Sequence, residues 1–287
     1  METRFNSLHF LNAQPEYTAA SLVLLGCPFD GTSSYQPGSR FAPNAIREAS
    51  WALESYSPKL NRDLSEINFC DLGDLELPFG NTQRALALIE QTIDHLLNEH
   101  KVPITLGGEH LISLPIIKAV KKYYPDLMVI HLDAHADLRD EYLGEQLSHG
   151  TVMRRVLEFV EGSHLIQIGI RSGTREEFLL ARKIGCQYKA WPSDLEIIKQ
   201  KINGYPIYIS LDLDILDPAV LPGTGTPEPG GLTFDQVIEI LSTFQAAEVV
   251  GMDVVELLPQ PPHQVSSIVA AKIIRESLLL YFSSSSP

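Results

Sequence analysis

The chain has 287 residues, of which 44% are hydrophobic and 20% charged, a composition typical of a folded globular protein. This length suits one large α/β domain or two small ones. The formal net charge of -14 argues against a nucleic-acid partner, because nucleic-acid binding needs basic patches. An acidic chain suits a cationic ligand better, although acidity also serves solubility alone.

The cysteines and the chain ends bear on where the protein works. Cys27, Cys70 and Cys186 lie far apart and are odd in number, so no disulfide framework is predicted. The start METRFNSLHF lacks the pattern of a secretion signal, and no apolar stretch approaches the roughly 18 residues that span a membrane. We therefore expect a cytoplasmic protein without membrane contact, with a frayed tail over 283–287.

Eight short segments along the chain predict β-strands. Most are continuously apolar rather than alternating, which is typical of strands covered on both faces. In chain order the segments are 21–27, 66–74, 102–108, 126–133, 164–170, 186–190, 205–212 and 247–256.

Helical patterns lie between many of these strands. Within 82–99, apolar residues recur at the spacing of one helix face. Two more helices are predicted from capping boxes, in which Thr174 precedes Glu177 and Thr233 precedes Gln236. The alternation of strand and helix predicts a parallel sheet, either open and doubly wound or closed into a barrel.

Acidic side chains follow two of the predicted strands. In HLDAHADLRD, Asp133, His135 and Asp137 occupy alternate positions, which point the same way in an extended chain. In SLDLDILDP, Asp212 and Asp214 share a face just where an apolar strand ends. Such groups side by side repel one another and are costly to desolvate, which indicates a cation between them.

A third strand leads into TLGGEH, which places His110 after a Gly-Gly pair that permits a tight turn. Both parallel architectures bind ligands at the carboxyl ends of their strands. Carboxylate-rich ligation with a little imidazole favours Mn²⁺ over zinc, and two divalent ions would balance the clustered negative charge. A two-metal site activates water near neutral pH. A lone DxD motif is weak, but the three motifs together are specific.

These motifs together resemble the ureohydrolases, the arginase and agmatinase family. The resemblance runs from CPFDGTSSYQPGSRFAPNAIR (27–47) to DVVELLP (253–259) and includes GGEH, DAHAD, SLDLDILDP and GTGTPEPGG. It implies a three-layer α/β/α sandwich around a central eight-stranded parallel sheet, which favours the open sheet over the barrel. It also implies a homo-oligomer, a trimer or hexamer, of single-domain chains spanning 1–287.

The resemblance implies two manganese ions per chain, with Asp133 and Asp212 bridging them. The ligands expected around the first ion are His110, Asp133, Asp137 and Asp212. Those expected around the second are Asp133, His135, Asp212 and Asp214.

The resemblance also implies catalytic and substrate-binding residues. Glu256 is expected to hold the guanidinium of the substrate, and Thr226 to line the site. His149, in SHGT, is expected to carry a proton to the leaving amine, a role that suits imidazole near neutral pH. Asp137 counts among the catalytic residues as well as the ligands. His131 is predicted to be a buried, hydrogen-bonded core residue.

The loop LRDEYLGEQLS (138–148) bears on the substrate. It carries Asp140, Glu141 and Glu145 where arginases have neutral polar groups, so it would attract a distal ammonium and repel a carboxylate. The alternative is that these acids form only a solvated loop. SYQPGSRFAPNAIR and SHGTVMRR also resemble agmatinases. We therefore predict agmatine as the small cationic substrate, hydrolysed to putrescine and urea.

Other functions stay open at this point. Arg139 or Arg175 could pair with a carboxylate, which would suit guanidinobutyrase or another guanidino-acid hydrolase. A zinc deacetylase also uses Asp and His at strand ends, but Asp214 and Glu256 argue against a single-metal enzyme. A catalytically inactive metal-binding subunit is disfavoured by the complete ligand set and by His149.

Overall fold

The computed structural model describes residues 8–282, so the predicted frayed tail, 283–287, lies outside the described residues. All eight predicted strands are present and form one sheet. Its strands are β1 Leu22–Cys27, β4 Phe69–Asp74, β5 Val102–Gly107, β6 Met128–Leu132, β7 Leu165–Ile168, β8 Gln187–Tyr188, β9 Pro206–Asp212 and β10 Glu248–Val255. A separate antiparallel pair is formed by β2 Tyr56–Ser57 and β3 Arg62–Asp63.

The order of strands across the sheet is β4-β1-β5-β10-β9-β6-β7-β8, and every neighbouring pair is parallel. The carboxyl ends of all eight strands therefore lie at one edge. The strands β5, β10, β9 and β6 are adjacent at the centre, because the last strand in the chain inserts between β5 and β9.

Helices cover both faces of the sheet. They are α1 Ala42–Ser50, α2 Thr82–Asn98, α3 Ser113–Tyr123, α4 Val152–Val156, α5 Arg175–Ile184, α6 Pro192–Lys201, α7 Phe234–Thr243 and α8 Val265–Tyr281. One apolar core contains side chains of α1, α6, α7 and α8, and the other contains side chains of α2, α3, α4 and α5. Alternate residues of β1 enter the two cores, as the twofold period of a strand requires. The predicted three-layer α/β/α sandwich is confirmed.

The predicted helix signals also hold in the structure. The helix expected within 82–99 is α2, whose N-cap Asn81 accepts a hydrogen bond from the Arg84 N–H. Thr174 and Thr233 each cap a helix with a complete capping box. These local hydrogen bonds satisfy N–H groups that the first turn of a helix leaves without partners.

The three cysteines are buried and carry free thiols. The sequence likewise predicted no disulfide bonds among them. Among residues 8–282, none of the helices is both long and apolar enough to cross a membrane.

Candidate active site

Acidic and imidazole side chains lie at the carboxyl ends of the four central strands, at one edge of the sheet. His110 follows β5, Glu256 follows β10, Asp212 ends β9 and Asp133 follows β6. His110, Asp212 and Glu256 line a cleft of about 160 Å³. The predicted site residues that line this cleft are His110, His135, Asp137, His149, Asp212, Thr226 and Glu256. Asp133 and Asp214 are buried and are not among the residues that line it.

The turn after β5 depends on a close backbone approach. A Cβ on Gly108 would lie 1.8 Å from the carbonyl oxygen of Phe29, so only glycine fits there. The next residue, Glu109, donates its N–H to the same oxygen. The N–H of His110 then donates to Glu256 Oε1 over 2.8 Å. The turn thereby brings the ends of β5 and β10 together.

Two site residues have a left-handed backbone conformation, which residues other than glycine rarely adopt. Asp137 has φ of 52° and Glu256 has φ of 63°. Such conformations cost on the order of 1–3 kcal/mol and persist only when surrounding contacts enforce them. Both side chains thereby turn toward the cleft that they line, and no sequence pattern indicated this.

His110 faces three carboxylates. Its Nδ1 lies 3.1 Å from Asp133 Oδ2, 3.2 Å from Asp212 Oδ2 and 3.3 Å from Asp137 Oδ2. Within the described residues this buried nitrogen has no partner with hydrogen-bond geometry. Ligands about 2.1 Å from one ion stand roughly 3 Å apart. The four side chains therefore fit a shared metal ion.

A second group adjoins the first. His135 Nδ1 lies 2.7 Å from Asp214 Oδ2 and 3.7 Å from Asp133 Oδ1. Among the described residues, Asp214 Oδ2 is buried and lacks a hydrogen-bond partner, so a cation between the two atoms would satisfy both. Within residues 8–282, two sets of atoms are close enough to hold an ion, and both include Asp133. The cluster therefore fits the predicted bridging role of Asp133.

The charges of this cluster need compensation. Burial raises the pKa of Asp212 well above its ordinary value, and the nearby Asp214 and Asp133 raise it further. Burial by itself would lower the pKa of His135, but Asp133 and Asp214 raise it to about 12. Carboxylates that stabilise a proton this strongly will also stabilise a divalent cation in its place. Such a site can activate a water molecule for attack on an electrophilic carbon.

Buried partners orient the ring of His110. The hydroxyl of Ser210 lies 2.9 Å from His110 Nε2 and donates to Asp253 Oδ1 over 2.8 Å. A hydroxyl that donates to the carboxylate can accept from the ring, so Nε2 carries the proton and Nδ1 offers its lone pair to the cluster. The sequence pattern assigned no role to Ser210 or Asp253.

His131 is buried and hydrogen-bonded, as predicted. It belongs to one of the two sets that are close enough to hold an ion. Its Nε2, however, lies 2.7 Å from Asp133 Oδ2 in hydrogen-bond geometry. The His131 ring is therefore hydrogen-bonded to Asp133, a proposed metal ligand, and its Nε2 is not free to bind an ion itself.

The cleft is also lined by His149. Its Nε2 lies 3.1 Å from the hydroxyl of Ser34, and its backbone N–H donates to Thr32 Oγ1 over 3.1 Å. The Thr32 hydroxyl in turn donates to the buried carboxyl of Glu109 over 2.5 Å. Burial lowers the pKa of His149, so its ring is neutral at pH 7 and able to accept a proton.

The acids of the 138–148 loop do not line the cleft. Asp140, Glu141 and Glu145 are exposed, and Asp140 forms ion pairs with Arg154 and Arg155. The structure therefore does not support these acids as a binding site for an ammonium group in the cleft, because their side chains are exposed and Asp140 is paired with Arg154 and the largely buried Arg155.

Arg139, Tyr142 and Glu177 line the cleft instead. The Arg139 guanidinium lies 4.4 Å from the centre of the Tyr142 ring, and its Nε is 3.4 Å from Glu177 Oε2. The sequence reasoning missed Tyr142, and it used Glu177 only as a helix-cap residue. Arg175 is exposed and is not among the lining residues.

Comparison of the sequence and the fold with known proteins identifies the family to which the chain belongs. A family model described as the arginase family matches residues 20–280. The agmatinase of Bacillus subtilis (strain 168) is 46% identical over 275 residues, which cover 94% of this chain and 95% of that protein. The guanidinobutyrase of Pseudomonas aeruginosa is 35% identical, over 94% of this chain and 89% of that protein.

A solved structure gives the same result. The crystal structure of the agmatine ureohydrolase of Thermoplasma volcanium superposes with a TM-score of 0.87 at 32% identity, covering 96% of this chain and 94% of that chain. The fold and the site therefore define a ureohydrolase, an enzyme that hydrolyses guanidino groups. The chain belongs to the arginase family.

Proposed function

We propose that the protein is a manganese-dependent agmatinase of the cytoplasm, which hydrolyses agmatine to putrescine and urea. One observation carries this proposal. The cleft ends on a cluster that fits metal ions, beside the buried carboxylate of Glu256, in a chain 46% identical to an agmatinase. Trimeric or hexameric assembly remains a prediction from the family resemblance.

The metal ligands are proposed as the family resemblance implies them. The first ion would lie among His110, Asp133, Asp137 and Asp212. The second would lie among Asp133, His135, Asp212 and Asp214. When bound, the ions supply the Lewis acidity that activates water for attack on the guanidino carbon.

Glu256 is proposed to hold the substrate guanidinium. Burial and the charge of Glu109 raise the pKa of Glu256 to about 8, while the His110 N–H that it accepts acts in the opposite direction. A buried carboxylate without a cationic partner is costly. A guanidinium beside Glu256 would supply that partner, and the charge of the pair would orient the carbon toward the cluster.

His149 is proposed to transfer protons. It lines the same cleft as the proposed ligands His110, Asp137 and Asp212, and its neutral ring can accept a proton from the attacking water. The leaving amine must be protonated before it departs, and the same ring can donate that proton. The Ser34 hydroxyl contacts Nε2 of the His149 ring, and the Thr32 hydroxyl accepts a hydrogen bond from the backbone N–H of His149.

A second candidate function is supported by Arg139. A guanidinium at the cleft could pair with the carboxylate of guanidinobutyrate, and a guanidinobutyrase is among the relatives. In the structure, however, Arg139 lies beside the buried carboxylate of Glu177. That ion pair leaves less positive charge for a substrate carboxylate, which supports agmatine as the preferred substrate.

The test is a urea-release screen of the manganese-loaded protein against agmatine, arginine, guanidinobutyrate, guanidinopropionate and guanidine. We expect the highest kcat/KM with agmatine, and Arg139→Gln should leave that value unchanged or raise it. If guanidinobutyrate is the substrate, Arg139→Gln should cost about 10–100-fold, since a charged hydrogen bond contributes about 1.5–3 kcal/mol. Arg175→Gln, an exposed arginine that does not line the cleft, is the matched control.

A further inference from the structure

A buried amide lies behind the segment that carries three of the proposed metal ligands. Gln167 belongs to β7, the strand next to β6, and its backbone is paired in register with His131. Its side chain is fully buried. The site residues predicted from the sequence do not include Gln167, and it is not among the residues that line the cleft.

The orientation of this amide follows from its partners. Gln167 Nε2 lies 2.7 Å from the carbonyl oxygen of Ala136, which can only accept, so this atom is the nitrogen. Gln167 Oε1 accepts from Cys186 Sγ and Gln187 Nε2 on the other side. The amide therefore uses both of its donor hydrogens toward β6 and the loop that follows it.

The second donor determines the tautomer of His131. Gln167 Nε2 lies 2.9 Å from His131 Nδ1, and a nitrogen that accepts this hydrogen carries none itself. The proton of the neutral ring is then on Nε2, which donates to Asp133 Oδ2 over 2.7 Å. The Asp133 carboxylate is thereby held in one orientation by a buried donor.

The first donor acts on the backbone between two other proposed ligands. Ala136 separates His135 from Asp137, and Asp137 has the left-handed φ of 52°. The hydrogen bond from Gln167 holds the Ala136 carbonyl in place. It therefore helps to enforce the strained backbone that turns Asp137 toward the cluster.

We infer that Gln167 is a positioning residue for the 133–137 ligand segment, acting on Asp133 through His131 and on Asp137 through Ala136. The inference rests on the proposed metal centre. Gln167 touches neither substrate nor metal, and its loss weakens metal binding because the ligands lose their preset orientation.

Two pairs of variants test this inference by manganese titration of the metal-free protein in a calorimeter. Gln167→Met keeps the length of the side chain but removes both donors, and we expect Mn²⁺ affinity to fall about 10–100-fold. Gln187→Met is the matched control, because it removes only a partner of the Gln167 oxygen. Equal affinity of Gln167→Met and the native protein would overturn the inference.

The His131 branch is tested separately, so the inference stays testable even if Gln167→Met does not fold. His131→Leu removes the donor to Asp133 and should weaken Mn²⁺ binding. His131→Gln can place an amide N–H near the position of Nε2 and should restore it. A rescue that fails, with both variants folded, would contradict the role of the donor.

A metal-independent measurement separates this inference from the proposed function. In the metal-free protein with ¹⁵N-labelled histidine, NMR should show His131 protonated on Nε2 and bare on Nδ1, and Gln167→Met should disturb that state. The opposite tautomer would refute the inference. A native protein that binds no divalent ion, yet shows the expected tautomer, would instead overturn the proposed metal centre.

Discussion

At the scale of single residues, the site contains ionisable side chains that are buried, although burial disfavours their charged forms. Asp133 and Asp214 are almost fully buried, and charge of one sign at such positions is costly unless it is paired. The Nδ1 atoms of His110 and His135 face carboxylate oxygens of Asp133 and Asp214 at 3.1 and 2.7 Å. This arrangement is unfavourable by itself and becomes favourable when cations complete it.

His149→Asn is expected to slow turnover of agmatine by about 10²–10⁴-fold, the usual effect of removing a general acid–base group. The bound metal should be unchanged, because His149 is outside the proposed ligand sets. Steady-state kinetics and metal analysis of the same preparation check both statements.

His164→Asn provides the control, since the His164 ring contacts the Leu127 carbonyl and the Tyr205 ring and is not among the residues that line the cleft. It should keep native turnover. Loss of metal from His149→Asn would mean that His149 is a ligand rather than a proton carrier.

At the scale of secondary-structure elements, a buried ion pair joins α1 to β4 at one side of the sheet. Arg47 is fully buried, and its Nε and Nη2 donate to the two oxygens of Asp71 over 2.8 and 3.0 Å. Asp71 also accepts the backbone N–H of Phe10. One carboxylate therefore connects α1, β4 and the segment that precedes β1.

Arg47→Met is expected to lower the free energy of unfolding by about 3–5 kcal/mol, because it leaves Asp71 buried without its cation. Urea denaturation followed by circular dichroism measures this change. The double variant Arg47→Met, Asp71→Asn should recover part of the loss, since the buried charge of Asp71 is then removed and only the partly exposed Asp74 loses its partner Arg47.

The exposed pair Lys59–Asp235, whose side chains are 47% and 86% exposed, provides the contrast. Lys59→Met should change stability by less than about 1 kcal/mol, because exposed ion pairs contribute little. Equal effects of Arg47→Met and Lys59→Met would show that burial of the Arg47 pair does not govern stability.

At the scale of the whole molecule, the sheet collects ligands from residues far apart in the chain. The cleft joins segments from Ser34 to Glu256, so every layer of the fold must be in place before the cluster exists. Metal binding is thus coupled to folding, because the unfolded chain has no preformed site.

Mn²⁺ is therefore expected to stabilise the metal-free protein by mass action. At a free concentration 100-fold above Kd the gain is about 2.7 kcal/mol, which for a chain of this size raises Tm by roughly 4–5 °C. Differential scanning calorimetry at several Mn²⁺ concentrations measures it. Asp214→Ala should show a smaller gain, and a native Tm that does not respond to Mn²⁺ would contradict the proposed centre.

Much of this molecule was predictable from local sequence. Continuous apolar segments indicate buried parallel strands, and all eight lie in the central sheet. The capping boxes at Thr174 and Thr233 are local hydrogen-bond patterns, so they indicated helix starts correctly. The aspartates after β6 and β9 and the histidine after β5 also follow from local sequence, because parallel strands place their carboxyl ends at one edge.

Only the tertiary structure decided which groups meet. The insertion of β10 between β5 and β9 places Glu256 beside His110, and no local pattern encodes that order. The direction of a loop side chain depends on its neighbours, so Arg139 rather than Asp140 reaches the cleft. Likewise, Gln167 has an ordinary strand position in the sequence. Its two hydrogen bonds to the ligand segment exist because β6 and β7 are paired in register, which brings residues 36 positions apart into contact.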